Sequence, residues 1–416
     1  MPVIENTMHS VEEAERLISD AMPHPETVRV PLGAATGRVL AEALIADRAY
    51  PPFNRVMLDG IALHSRDETV FRSRGLPVRG MVRAGETPAP LPAGRCMETM
   101  TGAALPAGAD CIVPVEELEW IETDGSRRAH GAAEASVLPG RAIHVAGSDC
   151  RAGATVVSPG RRVGAAEAGI AASFGYAELK VFRPLRAALF GTGNELVEPE
   201  KDPGIYGTRC SNLYAIAAGL EDCGVATPPP RLLSDDRNAI ANAIRKAVEE
   251  EGARMVILSG GVSAGRFDFV PAALGDAGFS IRIAGVRQRP GKPMHFATHP
   301  AGAVAFGMPG NPLSALACLA RYVIPAVERA FGKTSDPFQV LVAKPVNQPD
   351  GWVRFLPVHR ESFSGVNSKK PVSVSSPGNS GDFASLADTC GFVAVDSRLA
   401  EGETGIFSCY LFPRIF

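Results

Sequence analysis

The sequence contains no CxxC pair. Its eight cysteines (Cys96, Cys111, Cys150, Cys210, Cys223, Cys318, Cys390 and Cys409) are scattered singly along 416 residues. This spacing argues against both a zinc site and a disulfide framework, and predicts reduced, mostly buried thiols. An excess of either charge is missing too. Lys plus Arg number 42 and Asp plus Glu 45, a formal net charge of -3. No global field draws such a chain to nucleic acid or to an anionic membrane, so a small anionic ligand requires a local basic site. Met1-Pro2-Val3-Ile4-Glu5-Asn6 lacks the basic start and apolar core of a signal peptide, and no later run is long and apolar enough to span a bilayer. A cytoplasmic protein without membrane contact is expected. Internal repeats and low-complexity tracts are absent as well.

What is present is 45% hydrophobic residues in a chain longer than one core usually serves, so several domains are expected. Ser10-Val11-Glu12-Glu13 has a capping-box pattern, and Val11, Ala14, Leu17, Ile18 and Met22 recur at helical spacing until Pro23 and Pro25. A second helical pattern over Ala165–Phe174, closed by Gly175, is expected to rejoin that first helix. Residues 45–146 are rich in Pro and Gly, with short β-like runs such as Cys111-Ile112-Val113-Pro114-Val115, and predict a small β-rich domain.

From residue 186 short apolar runs alternate with helical patterns, as in a doubly wound sheet. Ala187–Phe190 leads into Gly191-Thr192-Gly193-Asn194-Glu195, after which Ser211 or Asn212 caps a helix ending at Gly224. Arg231-Leu232-Leu233 leads into Ser234-Asp235-Asp236, with Ser234 or Asp235 as the cap of the next helix. Met255–Leu258 leads into Ser259–Gly265. Ala303–Phe306 leads into Met308-Pro309-Gly310-Asn311-Pro312, with Asn311 as cap and Pro312 at the first helical position. The unusual residues of all four units fall just beyond a strand's carboxyl end, where open α/β sheets place their ligand crevice. After Gly332 short strands return, predicting an all-β C-terminal domain.

Ser259–Gly265 sets three glycines among small residues, so its backbone N–H groups can approach a phosphate closely. It is not a Walker loop, and Gly191-Thr192-Gly193 is not a dinucleotide fingerprint, because Leu196 stands where the third glycine belongs. Arg289-Pro290-Gly291-Lys292-Pro293 holds two positive charges on a turn stiffened by prolines, a layout suited to a small oxyanion. Asp59, Glu195, Asp235, Asp236 and Asp268 are carboxylates available to a divalent cation, since Mg²⁺ takes one or two of them alongside phosphate oxygens. His295 and His299 flank a predicted strand and turn without an evident third ligand, which favours structural roles.

Taken together, these segments resemble the molybdopterin molybdenumtransferase family, known as MoeA in bacteria and as the C-terminal domain of gephyrin. The matching stretches are Pro52-Phe53 with Leu58-Asp59-Gly60, Ala84-Gly85-Glu86, and Thr101-Gly102-Ala103 through Gly108-Ala109-Asp110 with Glu116-Glu117. They continue with Gly191–Leu196, Ser259–Gly265 with Asp268, Pro290-Gly291-Lys292-Pro293, Pro309-Gly310-Asn311-Pro312 with Ser314, and Ser385-Leu386-Ala387. The order is the family's over nearly the whole chain.

The resemblance implies a multidomain α/β protein. Its parts are an N-terminal helical linker domain (1–44 with 147–180), a β-rich lid domain (45–146), a central doubly wound α/β/α molybdopterin-binding domain (181–333) and a C-terminal all-β domain (334–416). It implies a homodimer whose β-rich domain covers the α/β domain of the partner, with the active site between them. The implied reaction inserts molybdate into adenylylated molybdopterin with Mg²⁺-dependent release of AMP. Transient contact with a molybdopterin adenylyltransferase and with acceptor molybdoenzymes follows. The implied catalytic residues are Asp268, Asp59, Thr101 and Glu195, and the implied metal ligands Asp268, Asp235, Asp236 and Glu195. Substrate binding falls to Ser259, Gly260, Gly261, Ser263, Gly265, Pro309, Gly310 and Asn311, and molybdate binding to Arg289, Lys292, Ser314 and Ser380.

The chain also departs from the family. Val56 replaces a serine, Leu58 a methionine and Arg289 a lysine, Arg266 stands where an acidic residue is common, and Pro357 stands at a family arginine two residues after Phe355. Arg for Lys keeps the charge but changes the donor geometry. Arg354 is the neighbouring candidate for the missing arginine, although adjacent strand residues point to opposite faces. Three alternatives stand beside this reading: a paralogue using tungstate or another pterin nucleotide, a non-catalytic pterin-binding or scaffold protein, and the adenylyltransferase that makes the substrate. The retained Asp59, Thr101, Glu195 and Asp268 speak against the second, and the long N-terminal region and C-terminal β domain against the third.

Overall fold

The computed structural model describes residues 8–123, 125–263, 265, 268–333, 336–363, 370–375, 379, 381–382 and 386–413. The chain divides into two compact units, one of Met1–Glu42, Pro159–Ala168 and Ala177–Phe416, the other of Ala43–Ser158 and Gly169–Tyr176.

The first unit opens with α1 (Val11–Ala21), started by the expected capping box. Ser10 Oγ accepts the Glu13 N–H at 3.1 Å, and Glu13 Oε2 accepts the Ser10 N–H at 2.8 Å. Val11, Ala14, Ile18 and Met22 are buried as the periodicity requires, but not against the helix Ala165–Ser173. They join the core that contains Tyr322, Val323 and Val327, and α1 packs on the helix Ile324–Ala330. Arg321, buried in that core, donates to Glu15 Oε2 at 2.6 Å, and Arg329 binds the other carboxylate oxygen. The N-terminal segment meets the later chain through strands instead: Thr27–Pro31 pairs antiparallel with Glu178–Phe182. Short strands so far apart in sequence leave no local signal.

The α/β core contains β1 (Ala187–Thr192), β2 (Arg231–Leu233), β3 (Met255–Ser259), β4 (Ser280–Ala284), β6 (His295–Thr298) and β7 (Val304–Met308), with a short β5 (Gln288–Arg289) outside its sheet. The order is β2-β1-β3-β7-β6-β4, the first four mutually parallel and β6 antiparallel to both of its neighbours, β7 and β4. Helices α2 (Asn212–Asp222), α3 (Arg237–Glu249), α4 (Val270–Asp276), α5 (Pro312–Cys318) and α6 (Ile324–Ala330) cover both faces. Strand alternation sorts the core between them. Ala187, Leu189, Met255 and Ile257 pack with Leu213 and Ile216 of α2, whereas Ala188, Phe190, Val256 and Leu258 pack with Ile240 and Ile244 of α3. The chain leaves β1 towards β2 on one side and returns to β3 on the other, so the topological switch point lies between Thr192 and Ser259.

The C-terminal sheet has β8 (Phe338–Val342), β9 (Val353–His359), β10 (Thr389–Val395) and β11 (Gly405–Leu411), in the order β5-β9-β10-β11-β8. It therefore begins before residue 334. β5, the start of the basic turn, pairs parallel with β9, Gln288 opposite Val353 and Arg289 opposite Arg354.

The second unit carries a six-stranded sheet in the order Cys111–Pro114, Gly60–Leu63, Cys96–Thr99, Leu76–Val82, Ser126–Gly131, Leu118–Thr123, the β-rich region the turn residues predict. A side chain at Gly60 would place its Cβ 2.0 Å from the Val113 carbonyl oxygen. Only glycine fits there, and this close pairing fixes Asp59 at the strand's mouth. All eight cysteines are free, seven of them buried and Cys150 half-buried. Among the described residues no helix is long and apolar enough to cross a membrane.

Candidate functional site

A crevice of ≈ 820 Å³ opens at the carboxyl ends of β1, β3 and β7, lined by residues from all four strand–turn units. Gly260 and Gly261 take positive φ values of +96° and +63°. A Cβ on Gly260 would lie 2.4 Å from the Thr192 carbonyl oxygen, and one on Gly261 2.8 Å from Thr192 Oγ1. The glycines let this loop cross the end of β1 at van der Waals distance. Ser259, Gly260, Gly261, Ser263, Pro309, Gly310 and Asn311 all line the crevice, and Gly265 donates its N–H to Asp268 Oδ2. Asn212 ties two loops together: its Nδ2 donates to Ser259 Oγ at 2.9 Å and to the Gly310 carbonyl at 2.7 Å. Ser211, one of the two residues expected to cap α2, occupies the N-cap position without a side-chain capping hydrogen bond, and Asn212, the first helical residue, gives its amide to the two loops instead.

Glu195, Asp235 and Asp268 line the same crevice. Glu195 folds over Gly193, where a Cβ would come within 2.6 Å of both carboxylate oxygens. Asp235 Oδ2 accepts the Asn194 N–H at 3.2 Å, and Asn194 Oδ1 accepts the Asp235 N–H at 3.3 Å. The expected capping of α3 by Ser234 or Asp235 is corrected by one residue. Asp236 is the cap, its Oδ1 accepting the Ala239 N–H at 2.7 Å. Asp235 is thereby the member of the pair that faces the crevice. Asp236→Ala is expected to lower stability by about 1 kcal/mol in denaturant unfolding; an unshifted midpoint would mean the cap contributes nothing. Among the described residues no three His, Cys, Asp or Glu side chains gather closely enough to form a metal cage, so the four-carboxylate set does not meet at one point.

His295 Nδ1 lies 3.1 Å from the Pro293 carbonyl; burial holds its pKa below the ordinary value, against the pull of that contact and of the Asp268 charge. His299 packs at a tilt against Phe279, with ring centroids 4.9 Å apart. Both positions suit the structural roles expected of them.

The basic turn ends at Pro293, which lines the crevice. Arg289 and Lys292 are exposed, and both lie over the indole of Trp352, at 5.2 and 6.0 Å from its centroid. Beneath them Gln288 is fully buried, accepting from Tyr322 Oη and donating to Cys318 Sγ at 3.4 Å. Arg354 shares a register position with Arg289 on the neighbouring strand, which places both side chains on one face. Pro357 is buried opposite Phe392. Ser314 is buried in α5. Ser380 and Ser385 lie outside the described residues, while Gly381 lines the crevice.

In the second unit Asp59 Oδ1 accepts both the N–H and the hydroxyl of Thr101, at 2.6 and 2.7 Å. The Thr101 N–H and then its hydroxyl hold the Asp59 carboxyl below its usual pKa. The exposed apolar side chains Phe53, Met57, Leu58 and Met100 neighbour this pair in sequence.

Two family models match the chain: the MoeA N-terminal region (domain I and II) over residues 9–175, and the probable molybdopterin binding domain over residues 188–329. The molybdopterin molybdenumtransferase of a Synechocystis species is 34% identical over 97% of this chain and 99% of its own length. The chain belongs to the molybdopterin molybdenumtransferase family. Molybdopterin molybdenumtransferase 2 of Mycobacterium tuberculosis is likewise 34% identical, over 80% of this chain and 82% of its own. Among solved structures, the molybdopterin biosynthesis MoeA protein of Pyrococcus horikosii superposes with a TM-score of 0.73 at 26% identity, covering 98% of this chain and 99% of that one. The mixed α/β architecture is thus that of MoeA crystal structures.

Three residues at this family member's site escaped the sequence reading. Thr192 ends β1 with its Oγ1 buried and without a hydrogen-bond partner while lining the crevice. An isolated threonine after a strand carries no signal. Asn212 was legible only as an alternative helix cap. Trp352 lies 60 residues beyond the turn it touches, and only the β5–β9 pairing brings them together.

Proposed function

We propose that this chain is a molybdopterin molybdenumtransferase acting in the cytoplasm in molybdenum cofactor biosynthesis. It takes adenylylated molybdopterin, releases AMP by hydrolysis of the pyrophosphate link, and places molybdate on the freed dithiolene. One observation carries the reading: a single crevice at the switch point joins a glycine loop fit for phosphate to three carboxylates, and Pro293 leads from it directly into the basic turn.

The Ser259–Gly261 backbone and Asn311 bind the phosphates, and Asn212 keeps the two loops in register. Glu195, Asp235 and Asp268 share the crevice without gathering at one point, so one or two of them would hold a divalent cation alongside phosphate oxygens, and the partnerless Thr192 hydroxyl offers a further oxygen. Mg²⁺ bound there would neutralise charge on the departing phosphate. Asp236, occupied at its helix, is left out of this set. Asp268 orients the attacking water, which adds to phosphorus as the bond to the bridging oxygen breaks and AMP leaves. Arg289, Lys292 and Arg354 hold molybdate, with Ser314 and Ser380 the remaining candidates; Arg354 stands in for the arginine that Pro357 replaces.

The active form in this reading is a homodimer of four-part subunits, in which the β-rich unit of one copy supplies Asp59 and Thr101 to the crevice of the other. The exposed Phe53, Met57, Leu58 and Met100 then mark the covered surface. Substrate arrives from an adenylyltransferase, and product passes to an acceptor molybdoenzyme.

Mixing two inactive variants tests the shared site. Asp59→Asn co-expressed with Asp268→Asn should regain about a quarter of wild-type AMP release, because half of the dimers are mixed and each mixed dimer has one intact site. No recovery in verified mixed dimers would place both residues in the site of a single chain.

A further inference from the structure

We infer that Trp352 is a positioning residue for the oxyanion turn, holding Arg289 and Lys292 in place before the anion arrives; the inference rests on the reading that this turn binds molybdate. The two cations stand three residues apart on an exposed turn, and neither forms an ion pair among the described residues. Left to themselves they would repel and spread into solvent. Instead the Arg289 guanidinium and the Lys292 ammonium both lie over one indole, at 5.2 and 6.0 Å from its centroid. The face of an indole carries negative charge density and attracts a cation within about 6 Å. It holds both charges without neutralising them, as a carboxylate would.

The backbone that carries the indole is tied down beside the turn. The Trp352 backbone N–H donates to the Pro349 carbonyl at 3.2 Å, and the next backbone N–H, of Val353, donates to the carbonyl of Arg287, two residues before Arg289, at 3.0 Å. This is the strand whose register with β5 sets Gln288 against Val353 and Arg289 against Arg354. Under the turn, a Cβ on Gly291 would lie 2.5 Å from Gln288 Nε2, so the backbone between the cations rests directly on a buried side chain. The turn is supported from below by Gln288 and from the side by Trp352. An oxyanion then meets charges already gathered, and its binding does not have to overcome their repulsion or the entropy of ordering two long side chains.

The protein has two tryptophans, and Trp120 belongs to the other unit, stacked by Arg127 at 3.8 Å. A Trp120→Phe background therefore makes Trp352 the only indole emitter. Titrating molybdate into that protein should change its emission saturably, with the Kd found by equilibrium dialysis. In dialysis Trp352→Ala should weaken molybdate binding roughly five- to thirtyfold, the loss of two cation–π contacts, while Trp352→Phe stays within about threefold of wild type. AMP release by Trp352→Ala at saturating molybdate should keep its kcat, since the residue acts on anion capture. If Trp352→Ala keeps wild-type affinity while an Arg289→Ala/Lys292→Ala protein loses it, the role of Trp352 is refuted and the turn remains the oxyanion site. If the double alanine protein also binds molybdate normally, the site lies elsewhere and both ideas fall.

Discussion

Asp268→Asn should lower AMP release by about 10²-fold or more, the several kcal/mol of transition-state stabilisation that one catalytic carboxylate supplies. The fold should survive the change. Asp268 sits in a loop lining the crevice rather than in a core, and asparagine keeps an oxygen able to accept the Gly265 N–H. The loss should appear in kcat, with binding of the pterin nucleotide largely retained on the glycine loop. Unchanged turnover would move the chemistry to Asp235 or Glu195, the other carboxylates of the crevice.

The second large effect concerns the basic turn. Arg289→Ala or Lys292→Ala should each raise the molybdate concentration needed for cofactor formation roughly ten- to a hundredfold, the worth of a charge-assisted hydrogen bond at about 1.5–3 kcal/mol. The double variant should lose at least as much as the worse single one, with the two losses coupled because both cations share Trp352. Binding of adenylylated molybdopterin should change little in all three, since the proposed reading assigns its phosphates to the Ser259–Gly261 loop and Asn311 rather than to the basic turn. Arg289→Lys tests whether the guanidinium fork tunes the choice of oxyanion. Normal molybdate dependence in the double variant would contradict this assignment.

Much of this site was legible in sequence because local patterns fix it. Four apolar runs, each followed by glycine or an acidic residue and then a helical period, place Glu195, Asp235, Ser259 and Gly310 near strand ends without any tertiary information. The parts that escaped depend on contacts distant in sequence. β5 is two residues long, too short for any period, and its partner lies beyond residue 350. The same is true of Thr27–Pro31 with Glu178–Phe182. The α1 periodicity correctly gave a buried face, but an apolar stripe does not name what covers it, and the α6 core covers it here. In Ser234-Asp235-Asp236 three consecutive residues are competent caps. Composition alone does not choose among them, and the choice decides which carboxylate faces the ligand.

In the proposed reaction one protein couples cleavage of the pterin nucleotide to metal insertion. Incubating the purified protein with adenylylated molybdopterin, Mg²⁺ and molybdate, and measuring AMP and molybdenum-loaded cofactor together, tests this coupling. One AMP should be released for each cofactor loaded, and both products should be lost in Asp268→Asn. Cofactor loading without AMP release, or no turnover of the adenylylated substrate by the wild-type protein, would contradict it.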